Sequence, residues 1–154
     1  KKKMKNFIFL LFTTLLVTSY IKLFFKKKKD FKIIQTNLND LLPTMLCDKY
    51  PIYIDESIVN IDELILTTFK YEYWFVHKMV NTDLEIDVKT KSKFTLLQNT
   101  KDTVMNVGIK NEHDYVQVKL YPYNIIVLPL GWSYILDTEC EMTELNDVLH
   151  KLLL

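Results

Sequence analysis

The side chains best suited to chemistry are few in this sequence and stand far apart. Its two cysteines, Cys47 and Cys140, lack the close pairing of a zinc site, and its two glycines, Gly108 and Gly131, form no phosphate-binding loop. A cysteine nucleophile stays open as an alternative, although the sequence positions no base beside either thiol. We therefore predict no catalytic residue, no metal site and no cofactor.

The three histidines are the remaining candidates for a ligand or a base. His77 shares a strand face with Phe75 and Met79, which predicts a hydrogen-bonded histidine in the core rather than a ligand. His113 lies in the polar turn KNEHD, and His150 lies in a C-terminal helical segment. Both are expected at the surface.

A mostly antiparallel β domain must position these residues. From Tyr50 onward the chain is rich in β-branched and aromatic residues broken by short polar groups. Leu84, Ile86 and Val88 alternate with charged residues, as a half-buried strand requires. The candidate strands lie near residues 50–54, 72–80, 84–89, 93–98, 103–109, 114–120, 123–129 and 132–137.

Two short helices are expected within this domain. Asn60 can cap a helix that carries Glu63 at its third position, and Thr143 can cap a terminal helix with apolar residues on one side. Residues 125–128 are apolar on both strand faces, which predicts a strand covered by a second layer or a partner. The fold class is therefore α+β, mainly β, with a small antiparallel barrel of the jelly-roll or cupin-like kind.

One segment of the domain resembles the cupin-like barrels of the Jumonji type. In those barrels a strand ends in Pro-x-Gly-Trp, as in Leu128-Pro129-Leu130-Gly131-Trp132-Ser133-Tyr134, and the hairpin between their metal-binding strands is similar to Thr82–Gln98. The resemblance implies iron held by two histidines and a carboxylate. Tyr134 stands in place of one histidine and Met79 in place of the carboxylate, so we predict a degenerate barrel without its metal.

An oxygenase is the alternative that this resemblance leaves open. It would depend on iron and 2-oxoglutarate and use an unusual ligand set drawn from His77, Asp83 and Tyr134.

The N-terminal segment has the length and composition of a membrane span. Residues 6–25 give about twenty mostly apolar positions, close to the ~20 residues that a helix needs to cross the hydrocarbon layer. A cleaved signal peptide is the competing interpretation, with Val17-Thr18-Ser19 as its cleavage site. The predicted membrane-anchoring residues are Phe7, Ile8, Phe9, Leu10, Leu11, Phe12, Leu15, Leu16, Val17, Tyr20, Ile21, Leu23, Phe24 and Phe25.

Lysines and a short apolar stripe follow the span. Lipid headgroups are expected to contact the side chains of Lys22, Lys26, Lys27, Lys28 and Lys29. Apolar residues at Phe31, Ile34, Leu38, Leu41 and Leu42 then recur at helical spacing until Pro43. We predict three parts: an anchor at 1–29, an amphipathic stalk at 30–48 and a β-rich domain at 49–154.

The charges of the chain are divided between its two ends. The chain has 20 Lys and 19 acidic residues, and residues 1–29 hold nine of the Lys and none of the acids. Residues 30–154 therefore hold 11 Lys and 19 acidic residues, a net charge of −8. An acidic domain without arginine is a poor ligand for phosphate backbones, so nucleic acid is excluded as a partner. Without disulfide-framework cysteines or a glycosylation sequon, the domain is expected on the cytosolic face.

The chain also resembles small membrane-anchored virion proteins of large eukaryotic double-stranded DNA viruses. The resemblance rests on the N-terminal span, the segment KYPIYIDESIVNIDELILTTFKYEYWF (Lys49 to Phe75) and the β domain. It implies a non-enzymatic minor capsid protein that tethers an internal membrane to capsid proteins, with Tyr71, Tyr73 and Trp74 as partner contacts and no small-molecule substrate. A host-membrane adaptor or receptor is the alternative.

Overall fold

The computed structural model describes residues 1–25, 30–41, 43–69 and 75–153. Its helices are α1 (Lys2–Phe24), α2 (Pro43–Cys47), α3 (Ile61–Phe69) and α4 (Val148–Leu153). Its strands are β1 (Ile34–Thr36), β2 (Ile52–Ile54), β3 (Phe75–Asn81), β4 (Val88–Lys89), β5 (Phe94–Gln98), β6 (Met105–Lys110), β7 (Tyr115–Leu120), β8 (Ile125–Pro129), β9 (Ser133–Leu136) and β10 (Cys140–Asn146).

The strands form two sheets that pack as a sandwich. A six-stranded sheet has the order β1-β2-β8-β5-β10-β3, and a four-stranded sheet has the order β4-β9-β6-β7. Neighbouring strands are antiparallel except for β1 and β2, which run parallel with Ile34 opposite Ile52. The predicted mainly antiparallel β domain is therefore confirmed.

Both faces of the six-stranded sheet are buried. Ile126 and Leu128 of β8 belong to the core between the two sheets, while Ile125 and Val127 belong to a second core. This second core includes Leu46 of α2 and Leu64 and Phe69 of α3. Apolar residues therefore occur on both faces of β8, as the sequence predicts for a strand covered by a second layer.

The Pro-x-Gly-Trp segment forms the turn between β8 and β9. Gly131 has a φ of 85°, a conformation that glycine adopts without steric cost. Trp132 is buried, its indole Nε1 donates to the Lys49 carbonyl at 2.9 Å, and the ring of Phe31 meets it edge-on at 5.5 Å. The segment thus fixes the chain before β2 against the sandwich.

The predicted helical stalk is wrong in its secondary structure. Ile34–Thr36 form the edge strand β1, and Phe31 and Ile33 pack against the core between the sheets. Pairing with β2 satisfies backbone groups while these apolar side chains are partly buried, which a free-standing helix of this length would not achieve. Leu42 lies outside the described residues.

The predicted helix beginning at Thr143 is also wrong. Residues 140–146 form β10, which lies between β5 and β3, and Thr143 is buried in it. The helix begins later, at Val148, after the Asp147 carboxylate accepts the His150 backbone N–H at 2.7 Å. His150, expected at the surface, is completely buried.

Most other predicted elements are present. Each of the eight predicted strands overlaps an observed one. Of the strand predicted at 84–89, only Val88–Lys89 pair in a sheet, and Leu84 and Ile86 are exposed. Asn60 caps α3 as predicted, because its Oδ1 accepts the backbone N–H groups of Asp62 and Glu63 at 3.1 and 3.3 Å. His113 is exposed, as predicted.

Helix α1 is exposed along most of its length. Within its segment Lys2–Leu23, the most apolar 18-residue window has a mean hydropathy of 1.6, and none of that window is buried. It is long and apolar enough to cross a membrane, a property that signal sequences share. Its C-terminal end contacts the β domain, where the Lys49 ammonium donates to the Lys22 carbonyl at 2.9 Å.

The cap of α3 gives a test of the fold. Asn60→Ala removes the acceptor for two backbone N–H groups, so we expect the free energy of unfolding to fall by about 1 kcal/mol. Asn60→Asp is the matched control, because it keeps the oxygen and places a negative charge at the helix start. Urea unfolding followed by circular dichroism measures both, and equal loss in the two variants would contradict the assignment.

Candidate functional site

A cleft of about 270 Å³ opens between the two sheets. One wall comes from β3, β5 and β10 of the six-stranded sheet, and the other from β4, β9 and the segment after β4. Its lining mixes a few apolar side chains with carboxylates, lysines, threonines and a phenol: Met79, Val80, Asn81, Thr82, Asp83, Val88, Lys89, Thr90, Lys91, Thr95, Tyr134, Met142 and Glu144. Such convergence of polar groups in a concave site is typical of small-molecule sites.

Strand register brings the Glu144 carboxylate, which lines the cleft, next to the imidazole of His77, which lies outside the lining. Glu144 of β10 pairs with His77 of β3 on one side and with Thr95 of β5 on the other. The Glu144 Oε2 and the His77 Nδ1 lie 3.8 Å apart. The side chain of Glu144 is 28% exposed and that of His77 is 68% exposed, so the carboxylate lies deeper than the imidazole.

His77 is therefore not the core histidine that the sequence predicts. It does share a strand face with Met79, but β3 is an edge strand of its sheet and five of its seven residues are exposed. Burial on this face increases from His77 through Met79 to Asn81. His77 consequently lies at the open end of the face and Asn81 at its closed end.

Tyr134 is a buried hydrogen-bonding residue of the cleft. The Asn81 side-chain amide donates to its hydroxyl at 2.7 Å, and that hydroxyl donates to the Met142 sulfur at 3.3 Å. Burial, with the nearby Cys140 and Glu144, raises the pKa of Tyr134 to about 12. The phenol therefore keeps its proton near neutral pH and acts as a donor rather than as a base or an anionic ligand.

The cysteines do not provide a nucleophile at this cleft. Cys140 is buried, and its burial raises the pKa of the thiol to about 12. Because the thiolate is the reactive form, this thiol is inert near neutral pH. Cys47 is exposed on α2, away from the residues that line the cleft.

The alternative iron site is not assembled by the described residues. Within residues 1–25, 30–41, 43–69 and 75–153, no group of three His, Cys, Asp or Glu side chains could hold a metal ion. Asp83 and Tyr134 line the cleft, but His77 lies four residues before Asn81 along β3, a distance of ~13 Å for an extended strand. The three proposed ligands therefore do not meet at one point.

Several predicted contact residues cannot be placed in this site. Tyr71, Tyr73 and Trp74 lie outside the described residues, as do the lysines 26–29, so their roles stay predictions. Tyr20 and Phe25, predicted to contact lipid, have partners in the β domain at Asp147 and His150. Lipid contact by the remaining apolar residues of α1 also stays a prediction.

Sequence reasoning missed Glu144, the best-placed acid of the cleft. It assigned Thr143 to the start of a helix, so the alternation of Cys140, Met142 and Glu144 was not used. These residues share the inner face of β10, which packs towards the four-stranded sheet. The apolar Cys140 and Met142 alternate with the polar Glu141 and Thr143, a short strand signal that stops at Glu144 itself.

No protein-family model matches the sequence, and no curated protein matches it. Similar solved structures include sugar 3,4-ketoisomerases. QdtA of Thermoanaerobacterium thermosaccharolyticum, in complex with TDP, is 10% identical, with a TM-score of 0.34 over 49% of this chain and 60% of that one. WlaRB TDP-quinovose 3,4-ketoisomerase of Campylobacter jejuni is 9% identical, with a TM-score of 0.35 over 50% and 65%. A 3,4-ketoisomerase of Helicobacter canadensis is 9% identical, with a TM-score of 0.36 over 53% and 67%.

These neighbours correct two predictions. The chain was expected to be a non-enzymatic protein that tethers an internal viral membrane to a capsid, but the matched structures are all enzymes, with a cupin-like fold. The match spans less than two thirds of the QdtA chain. The resemblance to virion proteins is tested by none of these comparisons and stays a prediction.

Proposed function

We propose that the β domain is a cupin-like enzyme that transfers protons on a small polar substrate in the cleft between its sheets. One observation carries this proposal: the Glu144 carboxylate is partly buried in the cleft and lies 3.8 Å from the exposed His77 imidazole. A carboxylate and an imidazole are the groups that most often serve as general base and acid.

The roles of the two side chains follow from their exposure. Glu144 lines the cleft and can take a proton from a carbon next to a substrate carbonyl. His77 stands at the solvent side of Glu144, where its imidazole can orient the carboxylate and pass the proton to water. Tyr134 keeps its proton and can donate to a substrate oxygen, at the expense of its present hydrogen bond to Met142.

The charges at the cleft indicate the class of substrate. Lys89 and Lys91 come from β4 and the segment after it, in the wall that faces Glu144 of β10, so a carboxylate and two cations lie on opposite sides of the cleft. A small molecule with hydroxyl groups and an anionic group would satisfy both sides. The volume of about 270 Å³ is near the lower end for small-molecule sites, which favours a compact metabolite.

Helix α1 supports a second part of the proposal, that the enzyme is held on a membrane. The 22 residues from Lys2 to Leu23 would extend ~33 Å as a helix, about the thickness of the hydrocarbon layer. Large apolar side chains, among them Phe7, Phe9 and Leu10, are more than half exposed. Insertion into lipid would remove this apolar surface from water.

The proton-transfer proposal predicts hydrogen exchange with solvent. With keto sugars that carry a phosphate or a nucleoside diphosphate, the full chain in heavy water should introduce deuterium next to the carbonyl, read by mass spectrometry. Glu144→Gln should lower this rate by about 10²- to 10⁴-fold, because the amide cannot accept the proton.

Glu141→Gln is the matched control for this experiment. Glu141 lies on the same strand, is exposed and does not line the cleft, so its rate should stay near that of the unchanged chain. Equal exchange rates in the two variants would contradict the proposed reaction. So would the absence of both binding and exchange with every keto sugar tested.

The membrane proposal predicts that a charge at the centre of α1 weakens insertion. Phe12→Lys should cost about 3 kcal/mol at the middle of the span and reduce the fraction that floats with lipid vesicles. Leu152→Lys, at a 76% exposed position of α4, should float as the unchanged chain does. If the unchanged chain is released by alkaline carbonate, α1 does not span the bilayer.

A further inference from the structure

The C-terminal end of α1 docks on the β domain through four polar side chains, Tyr20, Lys93, Asp147 and His150, which we call the docking cluster. The Asp147 carboxylate accepts hydrogen bonds from the Tyr20 hydroxyl at 2.5 Å, the Lys93 ammonium at 2.9 Å and the His150 backbone N–H at 2.7 Å. The Lys93 ammonium also lies 5.1 Å from the centre of the Tyr20 ring. One carboxylate thus connects α1, the segment before β5 and the start of α4.

His150 is the unusual member of the cluster. Its side chain is 0% exposed, and among the described residues neither Nδ1 nor Nε2 has a hydrogen-bond partner of good geometry, although the Lys91 backbone interacts with the ring. The ring of Phe25, the residue after α1, stacks on it with centroids 4.7 Å apart. Buried polar groups without partners are rare in folded proteins, because leaving water without a replacement hydrogen bond is costly. This arrangement tolerates a neutral imidazole and opposes a charged one.

We propose that the docking cluster is a pH-operated latch, in which neutral His150 lets the end of α1 dock on the β domain and protonated His150 releases it. The proposal rests on the contacts around Phe25 and Asp147 and not on the reaction proposed for the cleft.

The charged groups around His150 come from each element packed against it. Asp147 precedes it and Lys151 follows it in its own segment, Lys91 and Lys93 come from the segment before β5, and Tyr20 comes from α1. Burial is the largest cause that lowers the pKa of His150 below its ordinary 6.5, and Lys93 and Lys151 lower it further. Asp147 and the Lys91 backbone oppose this without reversing it.

The sign of the pH dependence follows from this lowered pKa. Undocking removes Phe25 from the ring and reduces the burial that lowers this pKa, so the docked state binds a proton on His150 less readily than the undocked state. Docking is therefore strongest above 6.5 and weakens as the pH falls below that value. Each pH unit between the undocked and docked pKa values lowers the docked-to-undocked ratio up to tenfold.

The carboxyl of Asp147 titrates at a lower pH than the range in which His150 is expected to loosen docking. Burial alone would raise the pKa of its carboxyl, but hydrogen bonds from Tyr20, Lys93 and the His150 backbone lower it below 3.8. Of these three, the hydrogen bond from Tyr20 is the one that docking adds, and protonation of Asp147 weakens it only as the pH falls below 3.8. Loosening in mildly acidic solution therefore reports His150.

The latch can be tested with the full chain in lipid nanodiscs. Spin labels are placed in Cys47→Ser chains that carry Ser19→Cys on α1 and Glu139→Cys on the β domain, both at exposed positions. We expect one narrow distance distribution at about pH 7.5 and a broader, longer one at about pH 5. Histidine-labelled NMR should show one of the three imidazoles titrating at the midpoint of the distance change.

Variants separate the latch from a general effect of acid. His150→Phe keeps a stacked ring that cannot be protonated, so its distances should be the same at both pH values. His113→Phe, at an exposed turn position, should respond as the unchanged chain does. Asp147→Asn should broaden the distribution already at about pH 7.5, because it removes the charge that Tyr20 and Lys93 bind.

Three results would overturn the latch. The first is an unchanged distance distribution between the two pH values in the chain with His150 intact. The second is a pH response that persists in His150→Phe. The third is a distance change whose midpoint differs from the titration of His150. None of these depends on catalysis in the cleft, so the latch and the proposed reaction can fail separately.

Discussion

The structure depends on the double burial of its six-stranded sheet. β8 and β5, at the centre of that sheet, have every residue buried, because the four-stranded sheet covers one face and α2 and α3 cover the other. Burial of apolar area on both sides supplies the main favourable free energy for the domain. This cover ends at the edge strand β3, where five of the seven residues are exposed. The cleft with Glu144 and His77 follows from this limit of coverage.

Local sequence patterns predicted the strands that are rich in β-branched and aromatic residues and the helix that has a short-range cap. The eight predicted strands and the Asn60 cap depend on residues close together in the chain. β10 was missed because it lies between two strands with both faces largely covered, so its residues do not alternate cleanly between apolar and polar. Helical spacing of Leu145, Val148 and Leu149 then competed with the strand interpretation. β1 was missed because three residues are too few to show a period.

The site could not be predicted because it is made by pairing between distant segments. Glu144 and His77 are 67 positions apart in the sequence and become neighbours only when β10 pairs with β3. The same limit explains why the predicted burial of two histidines is wrong. His77 lies on an edge strand and is exposed, while His150 lies in a polar-looking terminal segment that the end of α1 covers. Burial of these side chains is a property of the tertiary fold.

The end of α1 and the cleft are connected by the strands that they share. Asp147 of the docking cluster directly follows β10, the strand that carries Glu144. Lys93 directly precedes β5, the strand that carries Thr95. β5 and β10 are paired antiparallel, so their ends near the docking cluster and their positions in the cleft belong to one hydrogen-bonded ladder. A ladder of this kind resists sliding, since a shift by one residue would turn every side chain to the opposite face. Docking at one end therefore fixes the distance between the proposed membrane anchor and the carboxylate of Glu144.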